Sequence, residues 1–181
     1  MKRIFLCISL GTFLLSCNNT AEKPALAAEE KPATTTAEKP AVDLPYTASY
    51  SSNWSADVSN ADLKTVMTSY KDWETGNMSG LQGAFADTVS VDMNTGAHLE
   101  KSKADLIKMW STFRDSLSSV RIDMEGWNKM YSVDKRDGYI VTWYKEYDTY
   151  KGGKVDSANY HDINQVKNGK IVWYSQYKRK L

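Results

Sequence analysis

The side chains best suited to proton transfer or ligand binding lie in the last third of the chain. His161 is one of only two histidines and falls within a predicted strand. Histidine is the one side chain whose ordinary pKa lies near neutrality, so it can accept or donate a proton there. With Tyr144 and Gln176 beside it, and Glu146 as a further carboxylate, His161 is a candidate general base or ligand contact. The alternative is a structural histidine, hydrogen-bonded to Tyr144 in a partly polar core.

Sequence periodicity predicts the elements that must position these residues. Apolar residues at helical spacing predict three helices, over residues 61–75, 78–85 and 101–117. Asn60 is the predicted N-cap of the first helix and Gly76 its end. Alternating or β-branched segments predict strands over residues 87–93, 120–135, 139–150 and on both sides of Asn168-Gly169. We therefore predict an α+β domain, with helices packed on one face of a mostly antiparallel sheet.

Two glycine-containing turns set the predicted register of the last strands, and the register sets the faces. Gly152-Gly153 and Asn168-Gly169 are typical of two-residue hairpin turns. Such turns would place His161 opposite both Tyr144 and Gln176. The predicted pocket residues are Trp73, Met93, Trp110, Tyr144, His161, Tyr174 and Gln176. The residues predicted on the outer face, where we expect a homodimer interface, are Trp143, Tyr147, Tyr160, Trp173 and Tyr177.

The start of the chain predicts export and a lipid anchor. Lys2-Arg3 precede an apolar run over residues 4–15, which is typical of a secretory signal and shorter than the ~20 residues that cross a bilayer. Leu14-Leu15-Ser16-Cys17 resembles the bacterial lipobox. The resemblance implies a signal peptide over residues 1–16, acylation of Cys17 with chains such as palmitate, and anchoring in the cell envelope. The outer membrane is the expected location in a cell that has one. An ordinary secretory signal with an incidental cysteine is the alternative.

Residues 17–45 are predicted to form a flexible tether between Cys17 and a domain over residues 46–181. The stretch contains all four prolines of the chain, repeats the sequence AEKPA and has no aromatic residue. Such a composition cannot bury enough apolar surface to offset the entropy of ordering it. All six Trp and all eleven Tyr follow Pro45 and are available to form a core.

The composition argues against thiol chemistry, nucleic-acid binding and metal binding. Cys7 lies in the predicted signal, so the mature domain has no thiol for a disulfide, a thiolate metal site or a nucleophile. The net charge is +1, and removal of Lys2 and Arg3 makes it slightly negative, which argues against a nucleic-acid partner. Two histidines and scattered carboxylates do not supply the convergent ligands that a metal needs. We predict neither a metal nor a cofactor.

The domain resembles the nuclear transport factor 2-like superfamily, also called SnoaL-like, in which a curved sheet folds around three helices to form a cone. The resemblance is carried by Gly76-Asn77-Met78-Ser79-Gly80-Leu81, Phe85-Ala86-Asp87-Thr88-Val89, the helix from Lys101 and Asn168-Gly169-Lys170-Ile171. Lipoprotein members share the tether and the sequence Lys154-Val155-Asp156-Ser157. The resemblance covers residues 60–180. It implies the fold, which hosts enzymes and non-catalytic binders alike.

Ketosteroid isomerase, an enzyme of this superfamily, uses a carboxylate base, a tyrosine and a protonated aspartate. A gapless alignment places its tyrosine on Ser69, next to Tyr70, and its protonated aspartate on His161. The base falls on Met93, next to Asp92, and neighbouring residues of a strand face opposite sides. The resemblance therefore implies the pocket without the isomerase residues.

These observations favour a lipid-anchored, non-catalytic envelope protein that binds a small, partly apolar molecule in a cone-shaped pocket. The second hypothesis is an isomerase, dehydratase or hydrolase that uses His161 as general base. The third is a structural or assembly module that dimerises through the outer sheet face.

Overall fold

A computed structural model describes residues 43–181 of the chain, and the observations below concern this part. The signal peptide, Cys17 and residues 17–42 of the tether lie outside the described residues, so the predictions made for them stay predictions. The helices are α1 (Asn60–Thr75), α2 (Met78–Ala84) and α3 (Lys103–Arg114). The strands are β1 (Trp54–Ser55), β2 (Phe85–Asp92), β3 (His98–Ser102), β4 (Leu117–Ser132), β5 (Asp137–Tyr150), β6 (Val155–Lys167) and β7 (Lys170–Lys180). No helix within residues 43–181 is both long and apolar enough to span a membrane.

The seven strands form one sheet in the order β1-β4-β5-β6-β7-β2-β3. Every neighbouring pair is antiparallel except β2 and β7, which run parallel. Extra residues interrupt the pairing of β4 with β5 at Ser118 and Glu125, and such bulges bend a strand and increase its twist. The three helices pack on the inner face of this curled sheet. The predicted α+β cone is therefore confirmed.

The helix boundaries follow from local capping. Ser59, not Asn60, is the N-cap of α1, because its Oγ accepts a hydrogen bond from the Asp62 N–H at 2.9 Å. Gly76 ends α1 with φ of 74°, as predicted. The third helix begins two residues later than predicted, because Ser102 caps it by accepting from the Asp105 N–H. The preceding residues form the short edge strand β3, which was not predicted. Its last two residues, Lys101 and Ser102, fall within the predicted third helix.

The core lies between the helices and the inner sheet face. Its fully buried side chains include Val66 from α1, Leu106 from α3, and Val89, Ile140 and Ile171 from the sheet. Full burial of an aliphatic side chain stabilises the fold by about 1.5–3 kcal/mol. These residues fix the position of α1 and α3 above the sheet.

The hairpin between β5 and β6 differs by one residue from the prediction. Tyr150 pairs with Lys154 through a hydrogen bond of 2.8 Å from its N–H. Three residues therefore form the loop instead of two, and only the last, Gly153, has a positive φ, of 83°. A turn followed by a left-handed glycine is the usual geometry of three-residue hairpins. As a consequence Tyr144 lies opposite Tyr160, whereas His161 lies opposite Trp143.

The hairpin between β6 and β7 turns at Asn168-Gly169 as predicted, with φ of 52° and 74°. Lys167 also pairs with Lys170 as predicted. Beyond the turn, Val172 is an extra residue in β7, and the pairing shifts by one. Gln176 therefore lies opposite Asp162 rather than His161. Together the two shifts turn Tyr160, Asp162 and Asn164 toward the helices and His161 away from them.

Candidate functional site

A pocket of about 420 Å³ lies between the helices and the inner face of the sheet. Its walls come from α1, α3 and strands β5, β6 and β7, with Leu81 of α2 and Phe85 of β2 contributing. Nine aromatic rings line it, those of Tyr70, Trp73, Phe85, Trp110, Phe113, Tyr144, Tyr150, Tyr160 and Tyr174. The volume falls within the range of about 300–1,000 Å³ that is usual for small-molecule sites.

The structure brings most of the predicted pocket residues together. Those that line the pocket are Trp73, Met93, Trp110, Tyr144, Tyr174 and Gln176. The Trp110 ring packs between Phe85, at a centroid distance of 5.2 Å, and Tyr174, at 6.2 Å. Whether these side chains contact a ligand stays a prediction.

His161 is not a pocket residue, which corrects the sequence-based placement. Its ring lies on the outer face, stacked on Trp143 at a centroid distance of 5.2 Å and 6.1 Å from the Tyr177 ring. Its Nε2 atom has no hydrogen-bond partner among residues 43–181. The predicted contacts with Tyr144 and Gln176 are absent because both hairpins differ by one residue from the predicted register.

Asp162 takes the place predicted for His161 and forms a buried tyrosine–aspartate cluster with Tyr70, Tyr144 and Tyr174. The three phenol groups donate to its Oδ2, at 3.0, 2.7 and 3.1 Å respectively. Burial raises the pKa of Asp162 to about 7, although the tyrosine hydrogen bonds oppose the rise. Burial and the Asp162 charge raise the pKa values of all three phenols well above 10, so the phenols remain protonated donors.

Amide side chains hold this cluster in place. Asn164 Nδ2 donates to the Tyr70 hydroxyl at 3.1 Å, and Gln176 Nε2 donates to the Tyr174 hydroxyl at 2.5 Å. Asn94, from the turn after β2, donates to Gln176 Oε1. Tyr70 also lies 2.8 Å from the Thr142 hydroxyl. A chain of hydrogen bonds through the cluster restricts its side chains to one arrangement.

The positions of Tyr70 and Asp162 also correct the gapless alignment with ketosteroid isomerase. Each lies one residue after the position that the alignment gave, and the two side chains meet at 3.0 Å. Met93, on which the gapless alignment placed the base, lines the pocket. Asp92 bonds elsewhere, to His98 Nδ1 at 2.6 Å and to Trp173 Nε1 at 2.8 Å. Tyr70 and Met93 therefore line the pocket, whereas Asp162 is fully buried and is not one of the lining residues.

A second polar group lies farther along β5 and consists of Glu146 and Asp148, here called the carboxyl pair. Both side chains line the pocket and are only 8% and 5% exposed. Burial, with the charges of Asp148 and Asp162, raises the pKa of Glu146 to about 8. Burial also raises the pKa of Asp148. Among residues 43–181, the Oδ1 atom of Asp148 has no hydrogen-bond partner.

The outer face carries four of the five residues predicted there. Trp143 and Tyr177 are 39% and 58% exposed, and the Arg121 guanidinium lies 3.9 Å from the centre of the Tyr147 ring. The Trp173 ring packs against Tyr139, at a centroid distance of 6.4 Å.

Tyr160 was assigned to this outer face, and that assignment is wrong. It stacks on Tyr144 inside the pocket at 5.2 Å, because of the shifted β5–β6 register. Part of the outer face is already covered, since Trp54 packs on Tyr139 at a centroid distance of 5.9 Å. The homodimer interface stays a prediction.

Sequence reasoning missed Asn164 and Asp148 as pocket residues, and Asp162 as the buried acceptor of three tyrosines. The alternation in β6 was misleading, because Ile163 is apolar while its neighbours on the pocket face are polar. The one local feature that decides the register, the length of the β5–β6 loop, is not fixed by the sequence. A Gly-Gly pair fits a three-residue loop as well as a two-residue turn, so the choice needed the φ of Gly153.

Comparison with solved structures identifies the class of fold. An LEH-like epoxide hydrolase of M. tuberculosis superimposes with a TM-score of 0.56 at 8% identity, covering 66% of this chain and 83% of that one. A nuclear transport factor 2-like protein of unknown function from Exiguobacterium gives 0.55 at 15% identity, covering 65% and 99%. A protein from Xanthomonas campestris named as a putative polyketide cyclase gives a TM-score of 0.50 at 15% identity, covering 66% and 90%.

The domain thus has the nuclear transport factor 2-like, or SnoaL-like, fold, and the resemblance seen in the sequence is confirmed at that level. At these identities the likeness shows the fold alone. No family model matches the sequence, and a search of curated proteins returns no significant match.

Proposed function

We propose that this protein is a lipid-anchored envelope protein whose domain binds a small, partly apolar molecule in the pocket, without transforming it. The observation that carries the proposal is the pocket itself, about 420 Å³ of space walled by nine aromatic rings. Ligand sites of this kind are mostly apolar, with a few polar groups that orient the ligand. The lipobox-like sequence that ends at Cys17 supports the anchor and the location outside the cytoplasm.

The absence of catalysis is proposed because His161 and the phenol groups, two kinds of group that could move protons, are displaced or already hydrogen-bonded. His161 lies on the other face of the sheet, stacked on Trp143. The phenol protons of the tyrosine–aspartate cluster point at Asp162 Oδ2, and the gapless alignment with the isomerase places Met93, not a carboxylate, at the base. The hypothesis of an enzyme with His161 as general base therefore has no geometric support at this pocket.

Calorimetry tests the proposal with the full chain in phospholipid nanodiscs and empty nanodiscs as the blank. The probe is 4-phenylbutanol, a neutral molecule with an aromatic body, and we expect saturable binding. Phe113→Ala removes a pocket ring that stacks on Trp73 at 6.1 Å and should weaken binding severalfold. Trp127→Ala removes an exposed ring outside the pocket and should leave binding unchanged. No saturable heat with this probe or with its charged analogues described below would contradict the proposal.

A homodimer through the outer face is the second part of the proposal. It is supported by the exposed rings of Trp143 and Tyr177, which flank His161 on the outer face of the sheet. Exposed aromatic rings are enriched at protein interfaces. Analytical ultracentrifugation of the full chain in detergent measures the oligomeric state, and a monomer at micromolar concentration would exclude this interface.

A further inference from the structure

The pocket has more carboxyl groups than basic groups around the carboxyl pair. Glu146, Asp148 and Asp156 line this end, whereas Lys178 is the one basic side chain among the lining residues. Lys178 forms an ion pair with Asp156, with an Nζ–Oδ2 distance of 3.3 Å. The carboxyl pair is thus left without a lysine or arginine of its own among the lining residues.

Asp148 supplies a second observation, which concerns its hydrogen bonding. Its side chain is 5% exposed and lines the pocket, yet its Oδ1 has no hydrogen-bond partner among residues 43–181. A buried acceptor without a donor costs about 1–3 kcal/mol, so such atoms are rare in folded proteins. A donor that enters the pocket would remove this cost.

We propose that the carboxyl pair binds the ammonium group of an organic amine, so that the ligand of this pocket is an amine with an apolar or aromatic body. The inference rests on the proposed function, which supplies the pocket, and adds the chemical class of the ligand. An ammonium group brings a positive charge to the carboxyl pair and an N–H donor for Asp148 Oδ1, which has none among residues 43–181.

The aromatic walls fit the same ligand. Trp73, Phe113, Tyr150 and Tyr160 line the pocket together with the carboxyl pair. The faces of such rings attract cations, most strongly where water is excluded, and their area accommodates an apolar body. A metal ion is a poorer fit, because no group of three or more histidine, cysteine, aspartate or glutamate side chains within residues 43–181 is arranged to hold one. A carboxylate ligand would be repelled.

Ammonium binding is expected to be linked to proton release. The ionisable groups that act on the pair are Tyr160, Asp156 and Asp162 from β6, Lys178 from β7 and Arg114 at the end of α3. Without a ligand, burial and mutual repulsion favour a proton on Glu146, whose pKa is raised to about 8. A bound cation favours the ionised carboxylate instead. Affinity for an ammonium ion should therefore increase as the pH rises from 6 to 9.

Three probes of equal length test the inference by calorimetry on the full chain in nanodiscs: 4-phenylbutylammonium, 4-phenylbutanol and 4-phenylbutyrate. We expect the ammonium ion to bind at least about tenfold more tightly than the alcohol at pH 8, since buried charge pairs couple strongly. We expect the carboxylate to bind most weakly. The ammonium preference over the alcohol should increase from pH 6 to pH 9, with protons released on binding.

Two isosteric variants and two matched controls locate the effect. Glu146→Gln and Asp148→Asn should each remove most of the ammonium preference and leave affinity for the alcohol within about twofold, which also shows that the pocket is intact. Glu125→Gln and Asp123→Asn change the same charges on the outer side of β4 and should change neither affinity. Equal binding of ammonium and alcohol by the unmodified chain would overturn this inference and leave the proposed function standing. No binding of any of the three probes would overturn both.

Discussion

The two faces of the sheet differ most at two adjacent residues of β6. His161 points outward and stacks on Trp143, whereas Asp162 points inward and accepts three phenol hydrogen bonds. On the outer face polar groups meet solvent or form exposed ion pairs such as Lys145–Glu125, although Nε2 of His161 has no partner among residues 43–181. On the inner face polar groups depend on buried partners, which the Oδ1 atoms of Asp148 and Asp162 lack within the described residues. The difference shows that chemistry in this domain depends on register, because one step along a strand exchanges a partly exposed histidine for a buried carboxyl group.

The largest contrast between the faces should appear in the pH dependence of stability. The pKa of Asp162 is about 7 in the native state against 3.8 ordinarily. Between these values the native state holds a proton that the unfolded chain has lost, so stability falls as the pH rises from about 4 to about 7. The slope is at most about 1.4 kcal/mol per pH unit for one group. Glu146 contributes a decrease of the same sign, extending to about pH 8.

Asp162→Asn separates this effect from the rest of the domain. The amide keeps an acceptor for the phenols but carries no charge, so at pH 8 the variant should be more stable than the unmodified chain, by about 1–3 kcal/mol. Urea denaturation at pH 5, 6, 7 and 8 measures it. Asp123→Asn on the outer side should give a curve parallel to that of the unmodified chain. A parallel curve for Asp162→Asn would show that Asp162 is ionised throughout.

The next contrast is between the stability contributions of a phenol group on the inner face and one on the outer face. Tyr144→Phe removes the shortest of the three bonds to Asp162, 2.7 Å, and should cost about 1.5–3 kcal/mol at pH 8, as for hydrogen bonds to charged groups. Tyr177→Phe removes a hydroxyl that is exposed with its ring and should change stability by less than about 0.5 kcal/mol. Equal effects in urea denaturation would mean that the tyrosine–aspartate cluster does not stabilise the fold.

What the sequence predicted well were features with a strong local signal. Periodicity identified α1 and α2 to within one residue, and Gly76 and Asn168-Gly169 have the positive φ values that their types favour. β3 was missed because five residues at a sheet edge bury too little to give a pattern. The prediction of the candidate site was wrong at β6, because there the polar residues face the pocket and the usual alternation is reversed. The bulge at Val172 could not be predicted, because its neighbours Ile171 and Trp173 suit a regular strand equally well.

The outer face differs from the pocket in that its aromatic rings are predicted to meet a second copy of the chain. Trp143→Glu places a charge on this face and should weaken the dimer at least about tenfold, equivalent to about 1.4 kcal/mol. Trp127→Glu is the matched control, because Trp127 is similarly exposed but pairs with Thr142 and so belongs to the other face. Sedimentation of the full chain in detergent measures both. A dimer unaffected by Trp143→Glu would place its interface elsewhere.

The smallest expected effect on stability comes from substitutions in the β5–β6 loop, whose length determines which residues of β6 face the pocket. Gly153 has φ of 83°, and a side chain at such a position costs about 1 kcal/mol, whereas Gly152 does not have a positive φ. No atom lies within 4 Å of a Cβ built at either residue, so packing does not distinguish them. Gly153→Ala should therefore lower the free energy of unfolding by about 1 kcal/mol, and Gly152→Ala should leave it unchanged or slightly higher. In a two-residue hairpin turn Gly152 would need a positive φ, in type I′ together with Gly153. A loss at Gly152 as large as that expected at Gly153 would thus return His161 to the position opposite Tyr144 and break the contrast between the faces.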